Sequence, residues 1–355
     1  MKSENLHSLL WRVVDIEESE MKERNQSIDA IRFLAAILVV CLHVSLPKGQ
    51  IWSMNILFLA RSAVPLFFMI SGYLFGVRQK WDHQIENYMK KQIWKITKIA
   101  VLSYLLYILI DIWRTGPKMV FHILLNYKTV IRFLFFNKTF YGGHLWYLFA
   151  YMCVLIVYYI LVKKYKVKWM YYWTPIGLIL YYVLGKYSKL IFGEAVNFWY
   201  ARNFLMIGLP CFAIGYYLGQ RGIQPAVQRK NIEKAGWLLC LFWQVGLIWA
   251  ERSFLRDCHA YFGYNNFIFN TSIAVTALVF ALRFPGKSKW VCKMADWGRK
   301  YSIVIYIFHP LVSRCIGFVV KKIDFWVEWT QVERNLQIWR AILPILCLIG
   351  CIMIK

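Results

Sequence analysis

Apolar runs of about 20 residues recur along the whole chain, and they constrain its fold more than any other feature. A helix of this length crosses the hydrocarbon layer of a membrane. The chain has 355 residues, of which 59% are hydrophobic, and its mean hydropathy is +0.45. We therefore expect an all-α, polytopic membrane helix bundle. About ten transmembrane helices are predicted, at roughly 28–46, 53–77, 93–113, 141–162, 170–185, 198–219, 236–251, 264–283, 300–320 and 337–354.

The segments between these runs are short, and none has the length of a soluble domain. We expect a cytoplasmic N-terminal arm over 1–27 and one membrane domain over 28–355. The arm is polar and charged, so no cleavable signal peptide is expected. The segment 114–140 is basic and would lie on the outer side, where it is expected to form an amphipathic stretch on the membrane surface.

The charge is strongly basic, with 43 Lys and Arg against 18 Asp and Glu and a formal net charge of +25. Because the basic residues flank apolar runs, they indicate membrane orientation and not nucleic-acid binding. Their distribution predicts that both termini lie in the cytoplasm. The nine cysteines are scattered without a CxxC pair, so neither a disulfide framework nor a metal site is expected.

The first predicted helix carries two ionisable residues on one side. Arg32 and His43 stand eleven positions apart, which is close to three helical turns, or about 16 Å along the axis. Ionisable groups are costly inside a membrane and usually face a cavity or a partner, and imidazole is suited to proton transfer near neutral pH. Two simpler readings stay open: His43 bonds a backbone carbonyl at a helix end, and Asp29 pairs with Arg32 at the interface.

A basic helical face follows at the start of the third predicted helix. Lys91, Lys95 and Lys98 share this face at the cytoplasmic surface, where it would attract phosphate groups. Ordinary anchoring of a membrane helix would explain the same lysines. Arg61, four residues before Pro65 in an apolar helix, must have partners. The following pair Ser71-Gly72 is suited to close helix packing.

Two histidine motifs lie further along the chain. His144, Trp146 and Tyr147 follow a pair of glycines, and their rings form either a stacking surface for a sugar or an interfacial aromatic belt. His309 precedes Pro310 at a membrane depth comparable to that of His43, and the proline frees a backbone carbonyl.

Two further ionisable groups, Arg202 and Glu251, stand near predicted outer helix ends. Glu251 either orients a histidine or forms an interfacial salt bridge.

Together these motifs resemble the family 3 membrane acyltransferases, which transfer acetyl and other acyl groups to cell-surface glycans. The resemblance covers nearly all of 27–355 and rests on the order and spacing of its motifs. These are Asp29-x-x-Arg32 with His43 after ten residues, Phe67-Phe68-Met69-Ile70-Ser71-Gly72, Lys91 with Lys95, His144-Leu145-Trp146-Tyr147-Leu148, and Tyr306-x-Phe308-His309-Pro310.

The resemblance implies an O-acyltransferase in which His43 is the catalytic base or is itself acylated. Arg32, Lys91 and Lys95 would bind acyl-coenzyme A, with acetyl as the expected group. Where the family often has Arg-x-x-Arg, this chain has lysines, which bind phosphate as point charges without the bidentate fork. Two further sets of residues are assigned to the site: His309, Arg61 and Glu251 to catalysis, and His144, Trp146, Tyr147 and Arg202 to the substrate.

The acceptor implied by the resemblance is the hydroxyl of a cell-surface glycan or lipid-linked sugar. The location implied is a bacterial inner (plasma) membrane, with membrane lipids as partners. Two alternatives remain. A transporter or exporter of a glycan intermediate would also carry charged residues inside a helix bundle, whereas a scaffold without a site poorly explains the buried ionisable groups.

Overall fold

The computed structural model describes residues 25–81, 85–226, 230–262 and 266–354. Within those residues the chain is helical and has no β-strand, which confirms the all-α class. The predicted arm over 1–27 lies almost wholly outside the described residues. The helices are α1 Gln26–His43, α2 Ile51–Ala60, α3 Ala63–Trp81, α4 Ile85–Thr115, α5 Pro117–Leu125, α6 Tyr127–Phe136, α7 Trp146–Lys163, α8 Trp169–Leu184, α9 Ser188–Phe192, α10 Phe198–Ala201, α11 Leu209–Arg221, α12 Lys230–Asp257, α13 Ile268–Arg283, α14 Lys289–Val320, α15 Asp324–Gln331 and α16 Glu333–Met353.

Seven helical segments in the described part of the chain are long and apolar enough to cross a membrane. Three of the ten predicted runs instead contain helices shorter than 18 residues: α8, α11 and α13. The run over 198–219 is interrupted at Asn203, whose side chain accepts hydrogen bonds from the backbone N–H groups of Leu205 and Met206 and so starts a new helical segment.

The basic segment 114–140 forms the helix pair α5 and α6, which are bent by 64° relative to each other. Gly116 has a φ of 85° and is followed by Pro117, which together end α4 and start α5. Together the two helices are long and apolar enough to form either one broken membrane span or a re-entrant loop.

Helices α3 and α11 cross with their backbones in contact. A Cβ at Gly72 would collide with the backbone oxygen of Phe212, and one at Gly215 would collide with that of Met69. Gly76 and Gly219 repeat the arrangement one turn further along. The spacing of four between small residues on both helices is the usual solution for close packing in membranes, and it confirms the packing role expected for Gly72.

Helices α1 and α14 run side by side in the same direction. Gly298 of α14 packs against the backbone oxygen of Asp29, near the start of α1. Further along the two helices, the rings of His43, at the end of α1, and His309, in the middle of α14, are in contact. Each helix therefore carries an arginine and, about three turns later, a histidine, and the two pairs lie together.

Candidate active site

A cavity of about 160 Å³ opens between α1, α3, α4, α7 and α14. Its polar lining consists of Arg32, Ser71, Gln92, Lys95, Arg299 and Ser302. Arg32 and Lys95 were predicted from the sequence to bind the same ligand, and the structure brings them to one cavity. Lys91 is exposed and does not line the cavity, whereas its neighbour Gln92 does.

A fully buried carboxylate holds two of the cations that line this cavity. The Oδ1 atom of Asp29 lies 3.7 Å from Nη1 of Arg32, and its Oδ2 atom lies 3.2 Å from Nη1 of Arg299. The interfacial pairing of Asp29 with Arg32 is therefore present, and it fixes an arginine that also faces the cavity. Arg299 also forms an ion pair through Nη2 with the exposed Asp296. Both arginines remain partly exposed, so the N–H groups that these carboxylates do not use are accessible to a ligand.

Three imidazole rings meet at the far end of α1. The ring centroids of His43 and His309 are 5.1 Å apart, those of His144 and His309 are 5.1 Å apart, and those of His43 and His144 are 6.3 Å apart. They come from the end of α1, from the 3₁₀ turn Gly143–Leu145 before α7, and from the middle of α14. The expectation that His43 and His309 lie at similar depth is confirmed.

Pro310 explains how His309 is oriented. The proline has no N–H for the carbonyl of Tyr306, and Nδ1 of His309 lies 3.0 Å from that carbonyl oxygen and 2.9 Å from that of Ile305. Because a carbonyl only accepts, Nδ1 carries the proton and Nε2 carries the lone pair. Nε2 is buried and has no hydrogen-bond partner in the part of the chain that the structure describes.

His144 is held in the same way by the opposite ring nitrogen. Its Nε2 atom lies 3.1 Å from the carbonyl oxygen of Ile307, to which Tyr107 also donates at 2.9 Å. The hydroxyl of Tyr306 donates to the carbonyl of His144. Gly142 permits this turn because its φ is 57° and because a Cβ would lie 2.8 Å from the ring of Tyr107.

His43 differs from the other two histidines. It is exposed, and it makes no hydrogen bond to any described residue, whereas His144 and His309 are buried. The reading of His43 as a helix-end residue bonded to a carbonyl is therefore wrong for the described residues. A ring with two free nitrogens at an accessible position can exchange a proton with a bound molecule.

Two tyrosines separate the cavity from the histidines. Tyr147 and Tyr306 line the cavity, and their ring centroids are 5.5 Å apart. The ring of Tyr306 also lies 5.7 Å from that of His144. Tyr147 was predicted to contact the acceptor sugar, but it forms a wall of the cavity that contains Arg32 and Lys95.

The ring of Trp146 is occupied by a cation. The guanidinium of Arg202 lies 5.0 Å from its centroid and 4.4 Å from that of Phe198. Because Trp146 is also buried, it is not the open stacking surface for a sugar that its sequence position suggested. Arg202 is close enough to His43 to act on it electrostatically, so the arginine belongs to the histidine end of the site.

Glu251 lies apart from the histidines. Its Oε1 accepts a hydrogen bond from the hydroxyl of Tyr187 at 2.8 Å, and both of its oxygens lie 3.1 Å from the backbone nitrogen of Ile268. The carboxylate therefore caps the start of α13 and fixes the segment after α8. Among the described residues Glu251 makes no hydrogen bond or ion pair with a histidine, so its observed contacts are those of a helix cap, and the catalytic role expected for it stays a prediction.

Arg61 lies at the break between α2 and α3, where its backbone oxygen accepts a hydrogen bond from the side chain of Asn266 at 3.1 Å. It is within electrostatic range of Arg202 and Lys186.

Sequence reasoning missed Arg299 because the segment before the ninth predicted span was interpreted as a loop. In the structure α14 begins at Lys289 and includes Arg299. The spacing of Arg299 and His309 on one helix, which parallels that of Arg32 and His43, was the available signal. No group of three or more His, Cys, Asp or Glu side chains within the described ranges is arranged to hold a metal ion.

Comparison with known proteins identifies the class to which this fold and site belong. Residues 25–354 match the family described as an acyltransferase domain, so the chain belongs to this acyltransferase family. The match covers both the cation-lined cavity and the histidines. No solved structure matches the chain.

Three curated relatives are similar to parts of the chain. An amino-acid racemase of Enterococcus faecalis is 36% identical over 133 residues, which is 36% of this chain and 18% of the relative. A second amino-acid racemase of that organism is 29% identical over 237 residues, which is 62% of this chain and 31% of the relative. A serine/alanine racemase of Enterococcus gallinarum is 36% identical over 92 residues. The chain thus spans less than a third of the length of these relatives.

Proposed function

We propose that this protein transfers an acyl group, acetyl in the simplest case, from acyl-coenzyme A to a hydroxyl of a cell-surface or lipid-linked glycan. The observation that carries the proposal is the helix α1. It holds a phosphate-compatible arginine in a cavity at one end and an accessible histidine in a cluster of three at the other.

The donor is proposed to bind with its phosphates against Arg32, Lys95 and Arg299. Guanidinium and ammonium groups bind phosphate through charge-assisted hydrogen bonds. The buried carboxylate of Asp29 orients both arginines before the ligand arrives, which lowers the entropic cost of binding. The extended pantetheine arm would pass Tyr147 and Tyr306 and bring the thioester to the histidines.

His43 is proposed to act as the general base. Its imidazole removes the proton from the acceptor hydroxyl as the hydroxyl oxygen attacks the thioester carbonyl carbon. The tetrahedral intermediate then collapses, the carbon–sulfur bond breaks, and the coenzyme A thiolate takes the proton back from the imidazolium. The net reaction exchanges a thioester for an oxygen ester and leaves the enzyme unchanged.

His309 is proposed to support this proton transfer. Its Nδ1–H is held by two carbonyls, so its Nε2 lone pair is fixed beside the ring of His43. A lone pair at this position would accept a hydrogen bond from the imidazolium of His43 and stabilise it. The same logic explains the third member of nucleophile–histidine–carboxylate triads.

The acceptor is proposed to approach from the side of Arg202 and Arg61. In this arrangement the donor cavity faces the cytosol of a bacterium, and the acceptor side faces the outer surface of the inner membrane. This assignment is supported by the position of Arg202, which lies within electrostatic range of His43.

The test is acyl transfer from radiolabelled acetyl-coenzyme A into isolated capsular, teichoic-acid and peptidoglycan fractions. Membranes would contain wild-type protein, His43→Ala or His122→Ala. His122 is an exposed histidine on α5, outside the site, and serves as the matched control. We expect label with wild type and His122→Ala and at least about a hundredfold less with His43→Ala, because a positioned base contributes about 10²–10⁴-fold. Equal label with His43→Ala would contradict the role of His43. Glycan export without consumption of acyl-coenzyme A would favour the transporter.

A further inference from the structure

Four cationic side chains lie near the histidine end of the bundle. As a group they have no role in the proposed transfer reaction. Arg61 lies between α2 and α3, Lys186 follows α8, Arg202 precedes the π-helical turn Phe204–Gly208, and Arg252 lies in α12. Arg61 is within electrostatic range of both Lys186 and Arg202, and Arg252 is within range of Lys186. Four separate segments thus place positive charge in one region.

Aromatic rings hold three of these cations in place. Nζ of Lys186 lies 4.4 Å from the ring centroid of Tyr261, and the guanidinium of Arg252 lies 5.4 Å from the same ring. Arg202 is held between Trp146 and Phe198, as described above. Ring faces attract cations, but they carry no net charge and do not neutralise the group.

Among the described residues, the carboxylate that acts on Lys186 is that of Glu251, and its oxygens already accept hydrogen bonds from Tyr187 and Ile268. Neither Arg202 nor Arg252 forms an ion pair with a carboxylate among the described residues, and Nε of Arg252 is buried without a partner there. Lys186 is only 1% exposed, and its Nζ donates a hydrogen bond to the backbone oxygen of Phe262 at 2.9 Å, which carries no net charge to neutralise it. Lysine and arginine are rarely buried unless they are paired.

Burial beside Arg61 has a measurable consequence at Lys186. Desolvation, followed by the repulsion of Arg61, lowers the pKa of Lys186 to about 7. A bound anion would relieve the repulsion and restore the charge of the ammonium group.

We propose that Arg61, Lys186, Arg202 and Arg252 form an anion-binding site beside His43, and that the acceptor of the acyl group carries a carboxylate or phosphate that binds there. The inference rests on the proposed acyl transfer, because it assigns this side of His43 to the acceptor. It restricts the acceptor from any glycan hydroxyl to a hydroxyl on an acidic sugar or a phosphorylated intermediate.

The experiment measures the binding of three probes to the full-length protein in lipid nanodiscs at constant ionic strength. The probes are glucuronate, glucose 1-phosphate and neutral glucose. Saturating coenzyme A is present throughout, so that the donor cavity is filled and does not compete for the anionic probes. The variants are Arg202→Gln, Arg252→Gln and Arg256→Gln. Arg256 is an exposed arginine one turn from Arg252 on α12, and its variant is the matched control for loss of a positive charge.

We expect at least one acidic probe to bind about tenfold more tightly than glucose, because charge-assisted hydrogen bonds of this kind are worth about one decade or more. Arg202→Gln and Arg252→Gln should lose this preference, and Arg256→Gln should keep it. Retained affinity for coenzyme A and an unchanged melting temperature show that each variant is folded.

Equal binding of all three probes by the wild type would overturn the proposal. Equal affinities of Arg202→Gln, Arg252→Gln and Arg256→Gln for the acidic probes would also overturn it. Neither result bears on whether the protein consumes acyl-coenzyme A, because the binding experiment includes no transfer. The anion-binding proposal can therefore be refuted without refuting the proposed acyl transfer, and the reverse is also true.

Discussion

The imidazole rings of His43 and His309 lie with their centroids 5.1 Å apart, although they come from helices near opposite ends of the chain. His43 is accessible and free of hydrogen bonds to the described residues. His309 is buried and is fixed through Nδ1. One ring can therefore meet a substrate while the other stays in place, which is the division of labour that a base and its supporting partner need.

Two substitutions of His309 distinguish the roles of its two ring nitrogens. The amide of asparagine can reach the carbonyls that Nδ1 now contacts, whereas that of glutamine reaches toward the position of Nε2. We expect His309→Asn to keep the wild-type melting temperature and to lower kcat about a hundredfold, with KM for acyl-coenzyme A within about twofold of the wild type.

His309→Gln is the complementary variant. It should lose the bond to the Tyr306 and Ile305 carbonyls and lower the melting temperature, while it keeps more activity than His309→Asn. Steady-state kinetics and thermal unfolding of both purified variants measure this. A wild-type kcat in His309→Asn would restrict His309 to a structural role.

Arg299 should bind the phosphates of the donor. We expect Arg299→Gln to raise KM for acetyl-coenzyme A about tenfold with little change in kcat, because a lost charged hydrogen bond costs about 1.5–3 kcal/mol. Lys91→Gln removes an exposed charge outside the cavity and should leave KM nearly unchanged.

S-acetylpantetheine, which lacks phosphates, provides the second control for Arg299. Wild type and Arg299→Gln should use it equally well. A similar loss of activity with both donors would show that Arg299 acts on the fold of the site and not on the phosphates.

The crossing of α3 and α11 should not tolerate a methyl group. In Gly215→Ala the new Cβ would meet the backbone oxygen of Met69, so one helix must move. We expect a loss of about 1–3 kcal/mol in stability and a lower melting temperature.

Gly236→Ala is the matched control for this crossing. Gly236 lies in α12 with no atom within 4 Å of an added Cβ. Alanine there should raise the stability by about 0.5–1 kcal/mol. Equal melting temperatures for the two variants would contradict the close contact at Gly215.

Lys186 should make stability depend on pH. Its pKa is about 7 in the folded protein and about 10.5 when solvated, chiefly because of burial. Between these values the unfolded chain binds more protons than the folded one, so stability should rise with pH from about 7 toward 10.

The melting temperature of wild type in nanodiscs should accordingly increase from pH 7 to pH 9 relative to that of Lys186→Met. Below pH 7 both states are protonated and the difference between the two proteins should be constant. Parallel curves over the whole range would show that Lys186 is solvated in the folded state.

The helical membrane fold class and the central residues of the candidate site could be predicted from local sequence pattern. Apolar length predicted the helical bundle, and the helical period placed Arg32 and His43 about three turns apart on one side of α1. The histidine before Pro310 was predicted at the right depth because depth follows from position along an apolar helix. Helices shorter than 18 residues were harder to place, since a polar residue such as Asn203 interrupts a run whose average composition is apolar.

The roles of other residues depended on neighbours far away in sequence. Trp146 has the sequence signature of a sugar-stacking ring, but Arg202 covers it. Glu251 was a plausible partner for a histidine, but it caps α13. Nothing local distinguishes these alternatives, because each side chain can make the same type of contact with several partners.

By itself the sequence determined a membrane helix bundle, the arginine-to-histidine helix and the family of the chain, because helix period and apolar length are properties of consecutive residues. Only the tertiary structure decided that Arg299 joins Arg32 at one carboxylate, that three histidines meet, and that four cations gather beside them. These relationships depend on which helices become neighbours. Neighbours are selected by close contacts such as those of Gly298 and Gly215, whose partners lie hundreds of residues away or on another helix.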